Sequence, residues 1–209
     1  MHLVTVAAIY DADTNTNLVF RFVESDPSEK GKVRYMDGVD AIIGEFLSRL
    51  DEADTLCSYN GIGFDIGFLQ DQFKVSNERI QQYILKTFDI YEYSRRVFGR
   101  TFGLNLLLEL IGFKVKSGNG MQAVIFAQEG RWHELESYCA DDSRLTWEVS
   151  QKTRLLIPEG FQYRNRTQKN FDPHNALCLY GFRNKVFECD RKCSSVGGEL
   201  CNYPTPHAW

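Results

Sequence analysis

The sequence predicts an α/β protein, and three observations carry that expectation. Runs of strand length, rich in β-branched and aromatic residues, alternate with segments whose apolar residues recur every three or four positions, the order that layers helices on a sheet. Gly, Asn, Asp and Pro punctuate the junctions between the two kinds of segment. The chain has 209 residues with 43% hydrophobic content, enough for one full core and a tail.

Residues 3 to 10 and 18 to 23 flank the polar cluster Asp11 to Asn17, so they read as an antiparallel pair around a turn. A loop follows, punctuated by Asp26, Pro27, Ser28 and Gly31. Val39, Ile42, Ile43, Phe46, Leu47 and Leu50 recur at helical spacing, which predicts an amphipathic helix over 38 to 52 with Asp37 as its cap. Thr55 to Tyr59 is the next strand, Ile66 to Phe73 a helix, and Phe88 to Ile90 a short strand leading to a helix near Tyr91 to Phe98. A leucine-rich helix from Gly103 to Leu110 ends at Gly112, a residue suited to a left-handed cap. Lys114 to Gly120 reads as a polar loop, followed by helices over 121 to 129 and 131 to about 155, broken at Gly130. In the second of these, Leu135, Cys139, Asp142, Thr146 and Val149 form one stripe. That puts Asp142 on the inward face and Asp141, about 100° round the helix, toward water. Pro158-Glu159-Gly160 ends the patterned region, giving a domain over 1–157 and an appendage over 158–209 without clear period.

Composition excludes several classes. No stretch reaches the ~18 consecutive apolar residues of a membrane span, and residues 3 to 10 lack the basic flank of a secretory signal. A formal charge of -4 argues against a protein that coats nucleic acid through a broad basic surface, although a metal site supplies positive charge locally. Of the six cysteines, Cys57 and Cys139 lie in patterned segments and read as free, buried thiols. Cys178, Cys189, Cys193 and Cys201, with His174 and His207, lack the paired short loops of a zinc ribbon, and a reduced intracellular protein accounts for them equally well.

Two blocks carry chemistry. Ser58-Tyr59-Asn60-Gly61-Ile62-Gly63-Phe64-Asp65 places Asp65 where a strand gives way to a helix, a site position rather than a core one. Tyr138-Cys139-Ala140-Asp141-Asp142 sets Tyr138 and Asp142 four apart on a helix, about 5–6 Å between Cβ atoms, so a phenol and a carboxylate share one face. Taken alone, such a pair is as readily a packed Tyr and a solvated Asp. Hard divalent cations take carboxylate oxygens and water, and two of them about 3.5–4 Å apart stabilise both the attacking and the leaving oxygen of phosphodiester hydrolysis. Gly61-x-Gly63-x3-Gly67 also fits a nucleotide-binding loop loosely, but it sets Asp65 where a pyrophosphate would sit, and carboxylate repels phosphate.

These blocks resemble the second and third motifs of the DEDD (DnaQ-like) 3'-5' exonucleases of ribonuclease-H-like fold, in the variant with Tyr in its third motif. Thr87-Phe88-Asp89-Ile90, Phe102-Gly103-Leu104-Asn105-Leu106, the stretch Lys116 to Ala123, and Glu129-Gly130-Arg131-Trp132 extend the similarity to a polymerase-B-like exonuclease branch over roughly residues 1 to 155. The resemblance implies a three-layer fold with a mixed central sheet flanked by helices, and hydrolysis at nucleic-acid 3' ends with two Mg²⁺ or Mn²⁺ ions. It implies Asp65 and Asp142 as metal ligands, Tyr138 as the group aligning the water, and Asn60 and Phe64 as the residues that meet the terminal nucleotide. The partner is then single-stranded or 3'-terminal nucleic acid, and the setting intracellular, in cytoplasm, nucleoid or nucleus, in replication or repair.

One departure qualifies it. The family opens with a strand carrying Asp-x-Glu, and no Asp-x-Glu occurs in this sequence. Leu3 to Asp11 resembles the second strand instead, so the expected fold lacks the first, with a start upstream as the favoured explanation. A rival alignment reads Tyr10-Asp11-Ala12-Asp13-Thr14 as a shortened first motif. Two functions stay open: a metal-dependent exonuclease, or a catalytically inactive nucleic-acid-binding or interaction module derived from one.

Overall fold

The computed structural model describes residues 3–26, 32–98, 101–113 and 121–151, and four two-residue strand segments beyond them. In chain order the elements are β1 (Val6–Asp11), β2 (Thr16–Arg21), β3 (Val23–Ser25), β4 (Val33–Tyr35), α1 (Val39–Glu52), β5 (Leu56–Ser58), α2 (Asp65–Phe73), α3 (Asn77–Lys86), β6 (Thr87–Asp89), α4 (Ile90–Phe98), α5 (Leu104–Leu110), α6 (Met121–Gln128), α7 (Trp132–Ser150), β7 (Arg154–Leu155), β8 (Gln162–Tyr163), β9 (Arg166–Thr167) and β10 (Leu177–Cys178). Two compact units divide them: Met1–Asp89 with Val115–Trp147, and Ile90–Lys114 with Glu148–Trp209.

In the first unit the predicted hairpin forms. β1 and β2 pair antiparallel from Val6↔Arg21 to Asp11↔Thr16. The Asp11 carboxylate accepts the amides of Asp13 at 3.0 Å and Thr14 at 3.2 Å, and Asn15 takes φ 56°, a left-handed turn position that Asn tolerates. The second strand breaks after Arg21, and β3 pairs antiparallel with β4. Helix α1 begins at Val39, one residue later than expected; Gly38, at φ 76°, is its N-cap, with no side-chain cap bond. Asp37 is therefore not the cap: its carboxylate lies 3.7 Å from the Arg34 guanidinium instead.

Phe20, Phe22 and Val23 from the strands, Phe46 and Leu47 from α1, Ile66 and Leu69 from α2, and Ile80 and Tyr83 from α3 bury together as the core of this unit. Its aromatic rings meet tilted or edge-on, with Phe22 at 4.8 Å from Phe73 and Phe20 at 5.3 Å from Phe46. Each such side chain contributes about 1.5–3 kcal/mol by leaving water. β5 and β6 pair in parallel, Leu56↔Thr87 to Ser58↔Asp89. Parallel neighbours need a crossover, and α2 with α3 supplies it. Helix α3 has no counterpart among the sequence expectations. The Ser76 hydroxyl caps it by accepting the Arg79 amide at 3.3 Å, and α1 is clamped to it where Asp51 accepts from Arg79 and, at 2.8 Å, from the Tyr83 hydroxyl. Lys86 donates to the carbonyls of Asp51 and Ala53, covering the last carbonyls of α1.

Helix α7 lies against the first hairpin. The Ser143 hydroxyl is 3.0 Å from the carbonyl of Ala8, Trp147 meets Tyr10 with ring centroids 6.4 Å apart, and Glu136 pairs with Arg21 at 3.5 Å. Because Thr5 accepts the Phe22 amide, antiparallel alternation turns the Ala8 carbonyl away from β2, where Ser143 meets it. Both parallel and antiparallel pairing are present. Among the described residues, however, β1–β2, β3–β4 and β5–β6 form separate two-stranded ladders rather than one continuous mixed sheet.

The second unit holds α4, with its Ser94 hydroxyl donating to the Ile90 carbonyl at 2.7 Å, and α5, whose residues Leu107 and Leu108 bury. Gly112 ends α5 as expected, at φ 87°: its amide donates to Glu109 and the Phe113 amide to Leu108, the paired bonds of a left-handed helix stop. β7 pairs with β10 and β8 with β9, both antiparallel. The expected loop over 114 to 120, the tail residues Cys189, Cys193, Cys201, His174 and His207, and most of 158–209 lie outside the described residues. Among the described residues no helix is long and apolar enough to cross a membrane.

Candidate active site at the ends of the parallel strands

Ser58 and Asp89 stand opposite one another at the C-terminal ends of β5 and β6. From there the chain leaves β5 in a tight loop, 59 to 64, that delivers Asp65 as the first residue of α2. Asp89 organises this loop. It is 3% exposed; its Oδ1 accepts the Asn60 amide at 3.0 Å, and its Oδ2 accepts the Ser58 hydroxyl at 3.0 Å and the Ile62 amide at 2.9 Å. A buried carboxylate demands such donors, and here the loop backbone supplies two of them.

Gly61 sits between the two held amides. A Cβ there would stand 2.6 Å from the Ser58 Cβ and 3.3 Å from Oδ2 of Asp65, so the loop closes tightly only because the residue is Gly. The Gly61 carbonyl accepts the Ile66 amide at 2.8 Å, which ties the loop to the first turn of α2. The loop amides of Asn60 and Ile62 point at Asp89, so they are not presented to a phosphate as the nucleotide-loop alternative would need.

The Asp65 carboxyl is pushed up to about 6, first by loss of water around it and then by the charge of Asp89. Accessibility and titration pull apart here, since the residue is exposed and an open carboxylate ordinarily keeps its hydration. The upward direction stands because the neighbouring carboxylate acts in that sense whatever the hydration.

On α7, Tyr138 and Asp142 stand four residues apart and each shifts the titration of the other. Burial, then the charge and the hydrogen bonding of Asp142, lifts the Tyr138 phenol to about 12. Asp142 is raised by burial against the lowering effect of Tyr138. Between them in sequence, the half-buried Cys139 thiol is pushed up to about 11 by burial, then by the charges of Asp142, Asp65 and Glu136. One thiol thus feels both acids.

Asn60 takes φ 63°, with its side-chain oxygen against Gly63. Phe64 is 58% exposed and meets the Phe68 ring edge-on at 4.8 Å. Asp141 is exposed and lies 3.6 Å from Arg144, as its helical position predicted. No three His, Cys, Asp or Glu side chains converge as a metal-binding group among the described residues. Asp11 and Asp13, both described, therefore do not join Asp65 and Asp142, and Asp11 serves the hairpin turn instead. Asp89, which the sequence places in a block shared with the family, is given no role there. A charged residue between Phe88 and Ile90 was its signal, because a carboxylate embedded in an apolar run is seldom buried without partners.

The protein-family model RNase_H_2, described as RNase_H superfamily, matches residues 1–154. No curated protein and no solved structure gives a significant match.

Proposed function

We propose that this chain, which belongs to the RNase H superfamily, is a 3'-5' exonuclease-like protein whose site is built around Asp65, Tyr138 and Asp142. Membership brings a nuclease-like, nucleic-acid-processing fold. The narrower reading includes the Tyr-bearing DEDD branch, the three-layer arrangement, the 3' terminus as substrate and an intracellular setting. What supports it best is that the charges of Asp65, at the start of α2, and of Asp142, on α7, both bear on the Cys139 thiol and raise it. Residues from two distant blocks of sequence flank one place.

Each side chain has a task under this reading. Phe64, exposed and steadied by Phe68, offers a face on which a terminal base can stack, a contact worth about 1–3 kcal/mol per base. Tyr138 keeps its proton far above neutral pH, so it orients a water or a phosphate oxygen by hydrogen bonding rather than accepting a proton. Asp142, one helical turn on, would orient that phenol under this reading.

Nucleases of this superfamily typically use divalent metal ions, which supply an activated water and stabilise the leaving oxygen. The donor set among the described residues does not fit a two-ion site. Asp65 and Asp142 are two carboxylates where several must converge, Asp89 commits both oxygens to the loop, and no group of three is formed. That shortfall is the specific observation favouring a second reading, a nucleic-acid-binding module without hydrolysis.

A 5'-labelled single-stranded oligonucleotide incubated with the full chain and Mg²⁺ or Mn²⁺ separates the two. Stepwise shortening from the 3' end, lost in Asp65→Asn and in Asp142→Asn, would carry the exonuclease reading. Binding without shortening would favour the inactive module, and neither binding nor shortening would refute both.

A further inference from the structure

We propose that Asp89 is the positioning residue of this site: without touching a ligand, its carboxylate holds the loop after β5 in the shape that sets Phe64 and Asp65, and so governs how well the site grips a nucleic-acid 3' end. The second half of that statement rests on the nucleic-acid reading above.

The hydrogen bonds form a short chain of cause. Asp89 takes the amides on either side of Gly61, from Asn60 and Ile62, and the Ser58 hydroxyl beneath it. Gly61, pressed so closely on Ser58 that a Cβ would lie 2.6 Å from the Ser58 Cβ, presents its carbonyl to the Ile66 amide at 2.8 Å. That bond fixes the first turn of α2, where Phe64 is the N-cap and Asp65 the first residue. The Phe64 amide approaches the same carbonyl at 3.4 Å.

Local preference does not dictate this shape. Asn60 sits in the left-handed region at φ 63°, which Asn tolerates but does not require, and the Asp89 carboxylate accepts its amide there. The holder comes from another strand, and β5 and β6 must already be paired for it to reach. A direct ligand role fits Asp89 poorly. It is buried at 3% exposure, and each of its oxygens already accepts from the loop.

The test compares the full chain with Asp89→Asn and, should that variant fold poorly, with Ser58→Ala, which removes only the hydroxyl donor. Amide exchange and chemical shifts of Asn60, Ile62, Phe64 and Asp65 are followed by NMR, and affinity for a 5'-labelled oligothymidylate is measured alongside. The Asn60 and Ile62 amides are expected to lose protection, and the Phe64 and Asp65 resonances to move, while the β1–β2 amides keep theirs. Affinity is expected to fall about tenfold for Asp89→Asn and about twofold for Ser58→Ala, as a displaced Phe64 loses part of its stacking on the terminal base. In a Phe64→Ala background the Asp89→Asn effect should shrink to about twofold or less, because it acts through the loop that Phe64 caps.

Unchanged exchange at Asn60 and Ile62, or unmoved Phe64 and Asp65 resonances, would overturn the proposal. An undiminished Asp89→Asn effect on top of Phe64→Ala would overturn it too, since a residue that merely supports the fold behaves additively. If the unmodified chain binds no oligonucleotide, the nucleic-acid reading fails by itself, and the resonances still decide whether Asp89 sets the loop.

Discussion

Two aspartates in this chain do the same chemical job in opposite settings. At the tip of the first hairpin Asp11 accepts the amides of Asp13 and Thr14, two and three residues away. At the end of β6 Asp89 accepts the amides of Asn60 and Ile62, 29 and 27 residues away. The Asp11 bonds lie in water and follow from local turn preference. Those of Asp89 are buried and depend on strand pairing, so they form only with the fold and fail with it. Chemistry that decorates a turn at the surface becomes an anchor once it is desolvated and long-range.

Breaking the anchor should have the largest effect. Asp89→Ala leaves the Ser58 hydroxyl and two loop amides without their acceptor, and a loss of about 3 kcal/mol or more is expected in urea unfolding. Gly61→Ala comes next, at about 2 kcal/mol, because the new methyl meets the Ser58 Cβ rather than a flexible tip. Gly63→Ala is the control that sharpens it: only the movable Asn60 side-chain oxygen stands within 3 Å, so the cost should stay below about 1 kcal/mol.

Protonation separates the regions by sign. Asp65 has its folded carboxyl raised to about 6 from 3.8, so the folded state binds the proton more tightly than the unfolded chain does. Stability from this group is fully present below about pH 4 and is lost as pH rises through 6. Asp65→Asn should therefore stabilise the chain at pH 7–8, by about 1 kcal/mol after discounting for its open side, and the gain should vanish near pH 4. Asp11 runs the other way. The Thr14 backbone amide foremost holds its carboxyl below the usual value, so its contribution is present above that value and lost as pH falls through the depressed one. Because its bonds lie at an exposed turn, Asp11→Ala should barely move the urea midpoint at neutral pH, the smallest effect of the set.

What could be read from the sequence were features with a local period or a local rule. The hairpin around residues 11 to 17, the helix ended by Gly112 and the α7 stripe through Cys139 and Asp142 all follow from neighbours within a turn or two. Helix α3 escaped because its apolar residues Ile80, Tyr83 and Ile84 sit among polar ones, and Leu85, at 85% exposure, blurs the face. Asp37 was a reasonable cap by residue type, yet the left-handed turn at Gly38 takes the N-cap position instead. The partner set of Asp89 could not be read at all, because its donors arrive across a parallel ladder from an earlier strand.

Sequence alone determined which residues have the chemistry of a site: an acid at a strand-to-helix junction, and a phenol and an acid one turn apart on a later helix. Those follow from backbone geometry over a few residues. Only the tertiary structure decided that the charges of Asp65 and Asp142 bear on one half-buried thiol, that Asp89 accepts from the loop after β5, and that Asp11 stays with its hairpin. The reason is that contacts between distant segments are set by which apolar faces bury together, and burial has no period in the chain.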